Sequence, residues 1–85
     1  MRSFKFTIEE KNGLHARPAG MISSESKKFK SQITIKNGEK EADGKRLLSV
    51  MALGARLGST LEFIIDGEDE EIAEAAIRSV LERIL

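Results

Sequence analysis

The chain has 85 residues, 40% of them hydrophobic, and its fourteen lysines and arginines balance fourteen aspartates and glutamates to a formal net charge of zero. This length supports one modest hydrophobic core and predicts a single domain over residues 1–85. Nucleic acid is not expected as a partner, because a nucleic-acid-binding domain of this size usually carries a basic excess. Without cysteine and with one histidine, the chain offers neither a disulfide nor a multi-histidine metal site.

No apolar run approaches the roughly 20 residues that a membrane span requires, and the N-terminal residues lack the apolar core of a signal peptide. We therefore expect a cytoplasmic protein that does not insert into a membrane. We also expect a monomer that needs no metal or other cofactor.

The first predicted elements are a strand and a helix. Phe4, Phe6 and Ile8 alternate with polar residues, which predicts a strand with its aromatic face toward the core. The Asn12-Gly13 step ends this strand, since both residues tolerate turn conformations. A helix is predicted from about Ala16 to Lys27 or Lys28. Its predicted inner stripe comprises Ala16, Ala19, Ile22, Ser23 and Ser26, with Phe29 closing the end.

A hairpin and a short helix follow. Gln32 to Lys36 is predicted to form a strand with Ile33 and Ile35 inward, and Asn37-Gly38 predicts a type I′ turn into a short edge strand over residues 40–42. Asp43 or Gly44 is then expected to start a helix over about residues 46–53, which Gly54 ends. Its spacing predicts Leu47, Val50 and Leu53 as core, while Leu48 and Met51 are the candidates for an exposed apolar patch.

The last predicted elements are a strand over residues 60–65, with Leu61, Phe63 and Ile65 inward, and a helix that the acidic segment 66–69 opens. The predicted inner stripe of that helix is Ile72, Ala73, Ala76, Ile77, Val80, Leu81 and Ile84. The resulting order is β-α-β-β-α-β-α. It indicates the α+β class, an open-faced β-sandwich in which a four-stranded, mainly antiparallel sheet carries three helices on one face.

The segment Asn12 to Ala19 holds the only histidine and the only proline of the chain. Pro18 fits the first turn of a helix, where a missing N–H costs little, and this places His15 at or next to the N-cap. The free N–H groups of a first turn attract anions, and the guanidinium of Arg17 is a fork suited to phosphate. An imidazole in this setting favours a phosphoryl group carried on histidine. The alternatives are an exposed histidine and a solvated arginine without a role.

Residues Gly13 to Ala19 resemble the phosphorylation-site motif of HPr, the family of histidine-containing phosphocarriers of the sugar phosphotransferase system. The resemblance covers essentially the whole chain, including residues 47–54 and the acidic start of the last helix. It implies the sheet order 1-4-2-3. It also implies that His15 takes a phosphoryl group on Nδ1 from enzyme I, which draws it from phosphoenolpyruvate, and passes it to enzyme II A components.

The same resemblance implies roles for other residues. Arg17 belongs to the expected active site, where Ala16 and Arg17 bind the phosphoryl group. Leu47, Leu48 and Met51 correspond to a surface that meets enzyme I and enzyme II A, and the basic pair Lys45-Arg46 is expected to steer acidic partners. Many family members carry a regulatory serine at the start of this short helix. Arg46 stands at the aligned position here, so no regulatory serine is expected, and Ser49 does not inherit the role.

Three functional hypotheses follow from the sequence. The first is a phosphocarrier that serves sugar uptake, acting as a relay and not as a conventional turnover enzyme. The second is a regulatory paralogue whose phosphorylated His15 signals to a kinase or a transcription regulator. The third is an interaction module in which His15 is incidental, and it predicts no phosphoryl transfer at all.

Overall fold

A computed structural model describes residues 1–85 as four strands and three helices in the predicted order. They are β1 (Arg2–Thr7), α1 (Ala16–Ser26), β2 (Gln32–Asn37), β3 (Lys40–Asp43), α2 (Leu47–Met51), β4 (Thr60–Asp66) and α3 (Glu70–Ile84). All seven elements lie where the sequence predicted them, and the five with predicted bounds agree with those bounds to within about two residues. The short helix α2 ends earlier than predicted, because the N–H groups of Leu53 and Gly54 bond to carbonyls three residues back, which tightens its last turn.

The sheet is antiparallel throughout, with the strand order β1-β4-β2-β3 that the family resemblance implied. Phe4 and Phe63 lie opposite each other on β1 and β4, and their rings stack with centroids 5.1 Å apart. Inward residues of the four strands and buried residues of the three helices form one apolar cluster. The residues on the other face of the sheet are polar except for the half-buried Ile64, and the predicted open-faced architecture is confirmed. None of the helices combines the length and apolarity that crossing a membrane would take.

Three residues predicted to face the core are exposed. Ala16 is exposed, Leu47 is 39% exposed and Ile72 is 68% exposed. All three lie in the first turn of their helices. Because a helical side chain leans toward the N-terminus, a first-turn side chain extends past the region where the helix packs on the sheet. The other inner positions of α1 are buried, as are Ala73, Ile77, Val80 and Leu81 of α3.

Two turn predictions are wrong in detail. The β2–β3 turn is centred on Gly38-Glu39 between the paired residues Asn37 and Lys40, and only Gly38 has a positive φ, at 63°. This is the pattern of a type II′ turn and not of type I′. Arg46, not Asp43 or Gly44, is the N-cap residue of α2. Asp43 instead accepts the backbone N–H of Lys45 at 2.9 Å, which forms the turn before the helix.

Asp69 joins the start of α3 to the loop between α1 and β2. It is the N-cap residue of α3, but its carboxylate bonds to no N–H of that helix. It accepts the N–H groups of Lys30 at 2.8 Å and Ser31 at 2.9 Å, and also the hydroxyl of Ser31, which is buried. The Ser31 hydroxyl and then the Lys30 N–H hold the pKa of Asp69 below its ordinary value of 3.8.

We expect Asp69→Asn to lower the free energy of unfolding at neutral pH, because an amide is a weaker acceptor and directs an NH₂ group at existing donors. A carboxylate whose pKa is depressed by folding stabilises the fold above its unfolded pKa, and this contribution is lost as pH falls through the folded value. The difference between parent and variant in urea unfolding should therefore narrow well below pH 3.8. Glu39→Gln, in an exposed turn, serves as the control. A pH-independent difference would contradict this account.

Candidate phosphoryl-accepting site

His15 is the N-cap residue of α1, with an extended backbone (φ −84°, ψ −174°) and an exposed side chain that forms no capping hydrogen bond. The first N–H of α1 to be bonded is that of Ala19, which donates to the carbonyl of His15 at 3.0 Å. Pro18 has no N–H, so the unpaired donors of this helix end are the backbone N–H groups of Ala16 and Arg17. Both lie in the turn that begins at the imidazole.

The loop that presents His15 is fixed from behind by the segment before β4. The N–H of Leu14 donates to the carbonyl of Ala55 at 3.1 Å, and the side chain of Leu14 is buried. Gly13 has a φ of +66°, and a Cβ at this position would lie 2.5 Å from the Cα of Arg56. A residue without a side chain is therefore required here for two independent reasons, conformation and space.

His15 opens onto a depression of about 400 Å³ between α1 and the end of α3. Its lining comprises Glu10, His15, Arg17, Pro18, Met21, Arg83 and Ile84. Neither arginine forms an ion pair, and Arg56, outside the depression, forms none either, whereas Arg2, Arg46 and Arg78 each pair with a carboxylate. An exposed imidazole, two free N–H groups and two unpaired guanidiniums give this depression the character of a phosphate site.

The helix α2 presents the surface predicted for partners. Leu48 is 80% exposed, and Leu47 and Met51 are each exposed by more than a third; these three residues are termed the α2 apolar face. Val50 and Leu53 are buried and hold the helix on the core, as predicted. The α2 end of the molecule lies against α1, since the hydroxyl of Ser23 donates to the carbonyl of Lys45 at 3.0 Å.

The two basic residues before α2, Lys45 and Arg46, differ in how accessible their charged groups are to a partner protein. The ammonium of Lys45 donates to the carbonyl of Phe29 at 2.7 Å, so this residue is partly buried and its charge serves the fold. The ammonium keeps its charge, and the expectation that Lys45 steers partners stays a prediction. Arg46 remains exposed and forms only a surface ion pair with Asp43, at 3.6 Å. Such a pair is weak and leaves the guanidinium accessible.

Sequence reasoning missed the part of the depression that α3 contributes. Arg83 occupies the last turn of α3, where a cation is ordinary because it complements the helix dipole. Its proximity to His15 and Arg17 arises from the packing of α3 beside α1, and no periodicity indicates which residues two packed helices bring together. Met21 was also missed, although it follows Arg17 by four residues on α1 and this spacing places both on one face. Glu10, in the loop before α1, and the exposed Leu57 belong to no sequence motif.

Comparisons with known proteins agree with this geometry. Residues 2–83 match the family model described as the PTS HPr component phosphorylation site. The phosphocarrier protein HPr of Mycoplasma capricolum subsp. capricolum is 38% identical over 81 residues, which cover 95% of this chain and 91% of that protein. The multiphosphoryl transfer protein of Salmonella typhimurium is 42% identical over 78 residues, which cover 88% of this chain and 21% of that protein.

A solved structure of the histidine-containing phosphocarrier protein of Mycoplasma superposes with a TM-score of 0.94 at 36% identity. The superposition covers 96% of this chain and 93% of that one. Sequence and structure therefore agree over nearly the full length of both proteins, and the chain belongs to the HPr family of the phosphotransferase system.

Proposed function

We propose that this protein is a phosphocarrier of the phosphoenolpyruvate-dependent sugar phosphotransferase system and that His15 carries the phosphoryl group. The observation that carries the proposal is the exposed imidazole at the N-cap of α1, next to the unpaired N–H groups of Ala16 and Arg17. Membership of the HPr family supports the same function, as does the name of the Mycoplasma capricolum relative, a phosphocarrier protein.

The transfer step uses the neutral imidazole of His15. The lone pair of Nδ1 attacks the phosphorus atom held by enzyme I, and a nitrogen–phosphorus bond forms. The bond between phosphorus and its donor atom breaks, and its electron pair leaves with enzyme I. Nδ1 is the ring nitrogen closer to the backbone, and the first turn of α1, with its free N–H groups, follows His15 directly. The reverse set of bond changes passes the group to an enzyme II A component.

The residues around His15 stabilise the phosphoryl group moderately. A helix N-terminus contributes about 0.3–1 kcal/mol to an exposed anion, and a hydrogen bond to a charged group about 1.5–3 kcal/mol. The two N–H groups and the guanidinium of Arg17 are the donors within the first turn. Contributions of this size orient the group without trapping it, and a carrier has to release what it binds.

The function is tested by the intact mass of the protein after incubation with phosphoenolpyruvate and purified enzyme I. The expected result is one added phosphoryl group that is lost in acid and retained in base. Subsequent addition of an enzyme II A component should remove it. A folded protein that enzyme I leaves unmodified would overturn the proposal, and a modified protein that no enzyme II A discharges would favour the regulatory alternative.

For partner docking we propose the α2 apolar face, with enzyme I and enzyme II A components as its partners. A small apolar surface with a flexible methionine suits a carrier that must recognise several proteins. Leu48 is the most exposed member and Met51 lies one turn along the same helix. The exposed guanidinium of Arg46 lies at the edge of this surface, where a charge affects the rate of association.

We expect Leu48→Asp to weaken binding to enzyme I by at least about tenfold, since it places a charge in the centre of an apolar contact. Stability should change by less than about 0.5 kcal/mol, because the side chain is exposed. Ile72→Asp is the matched control, as Ile72 is also exposed and also lies in the first turn of a helix. Titration calorimetry of the three proteins checks the prediction, and equal binding by all three would remove Leu48 from the docking surface.

A further inference from the structure

Arg83 gives the His15 depression a second guanidinium from a different element. Its side chain is exposed, lies in the last turn of α3, and has no carboxylate within ion-pair distance. Arg78, five residues earlier on the same helix, pairs with Glu74 at 2.9 Å and lies over the ring of Phe4. The arginine in the middle of α3 therefore has a carboxylate partner, whereas Arg83, at the end that faces His15, has none.

Arg17 and Arg83 lie together. Both line the depression at His15, and both also line the groove that continues between α1 and α3 past Gly20, Ser24 and Val80. Two guanidiniums in one groove repel each other, and an anion between them relieves that repulsion. Glu10 is the only carboxylate that lines the depression. It accepts the N–H of Asn12 at 3.2 Å and pairs with neither arginine. Glu25 is the only carboxylate that lines the groove, and it pairs with Lys28 at 3.0 Å and with neither arginine.

We propose that Arg83 is a second cationic ligand of the phosphoryl group on His15, reaching it from α3 while Arg17 reaches it from α1. This inference depends on the proposed function and adds a phosphate-positioning residue to it. Arg83 forms no covalent bond in the transfer. Its N–H groups donate to phosphoryl oxygens, and its charge favours the dianion over the protonated monoanion. The ordinary role for such an arginine is to complement the C-terminal dipole of α3, which stabilises the helix and leaves the phosphoryl group unaffected.

The two roles are separated by Arg83→Gln in the phosphorylated protein, with the phosphoryl group observed by ³¹P NMR during a pH titration. Loss of a guanidinium that favours the dianion should raise the phosphoryl pKa by roughly 0.5 unit. The equilibrium with phosphorylated enzyme I should shift against the carrier by about 2- to 5-fold, the range of an exposed ion pair. Arg83→Lys should recover part of both effects, because it keeps the charge and loses the fork.

Lys5→Gln is the control for net charge, since Lys5 is exposed on β1 between the inward residues Phe4 and Phe6 and makes no ion pair. It should leave the phosphoryl pKa at the parent value. A phosphorylated Arg83→Gln protein whose phosphoryl pKa and enzyme I equilibrium match the parent would overturn the inference and leave the proposed function intact. Equal shifts in Lys5→Gln and Arg83→Gln would also overturn it. A parent that enzyme I never phosphorylates would overturn both.

Discussion

Replacement of His15 by alanine is expected to abolish the acid-labile phosphoryl group while the fold remains intact. The imidazole is the only one in the chain, so no second histidine takes over the phosphoryl group. Its side chain forms no capping hydrogen bond and is exposed, so its loss removes neither a helix cap nor a packed surface. We expect the free energy of unfolding to change by less than about 0.5 kcal/mol.

The measurement combines intact mass after incubation with phosphoenolpyruvate and enzyme I with urea unfolding of the unmodified protein. Acid and base treatment of the parent distinguishes a phosphohistidine from a serine ester, which has the opposite lability. An acid-labile group that persists in His15→Ala would place the acceptor elsewhere. A variant that fails to fold would show that the His15 side chain stabilises the loop before α1. The phosphorylation of His15→Gln would then be compared with that of the parent.

Replacement of Gly13 by alanine is expected to have the largest effect on stability. A non-glycine residue at φ +66° costs about 1–2 kcal/mol, and the new Cβ would lie 2.5 Å from the Cα of Arg56 and 2.8 Å from the carbonyl oxygen of Ala55. Backbone atoms cannot move aside as a flexible side chain can, so overpacking adds about 1–3 kcal/mol. The expected loss is roughly 2–5 kcal/mol.

Gly38→Ala provides a matched control for this prediction. Gly38 has nearly the same φ, +63°, but a Cβ there would meet nothing within 4 Å. The Gly38→Ala variant should therefore lose only the conformational part of the free energy of unfolding, about 1–2 kcal/mol, and be phosphorylated at the parent rate. Gly13→Ala should also slow phosphorylation by at least about tenfold, because the displaced loop carries His15. Equal losses of stability in the two variants would show that the contact with Arg56 has no energetic weight.

The features that the sequence predicted are those with local causes. Strand alternation placed Ile33, Ile35, Leu61, Phe63 and Ile65 in the core, and all five are fully buried. The N-cap position of His15 followed from the adjacent glycine and proline, whose backbone preferences act within a few residues. The strand order did not follow from periodicity. It came from the family resemblance, which carries information about packing that one sequence lacks.

The features that the sequence did not predict depend on how elements meet. Ala16, Leu47 and Ile72 fit the periodicity of inward residues, but the ends of their helices extend past the sheet. The ammonium of Lys45 donates to a carbonyl 16 residues away, a structural contact that the sequence pattern did not indicate. Arg83 is separated from Arg17 by most of the chain, and only the packing of α3 beside α1 places both in one depression.

The proline in the third helical position of α1 limits how completely the phosphoryl group can be coordinated. Without an N–H at Pro18, the helix end offers two backbone donors, while a phosphoryl group on nitrogen has three terminal oxygens. The backbone of the carrier therefore cannot supply a hydrogen-bond donor to each of the three oxygens. An incoming partner that supplies further donors can share the group before the nitrogen–phosphorus bond breaks. With an additional backbone N–H at position 18, the same helix end would hold the phosphoryl group more tightly and release it more slowly. With two donors it is suited to passing the group between partners.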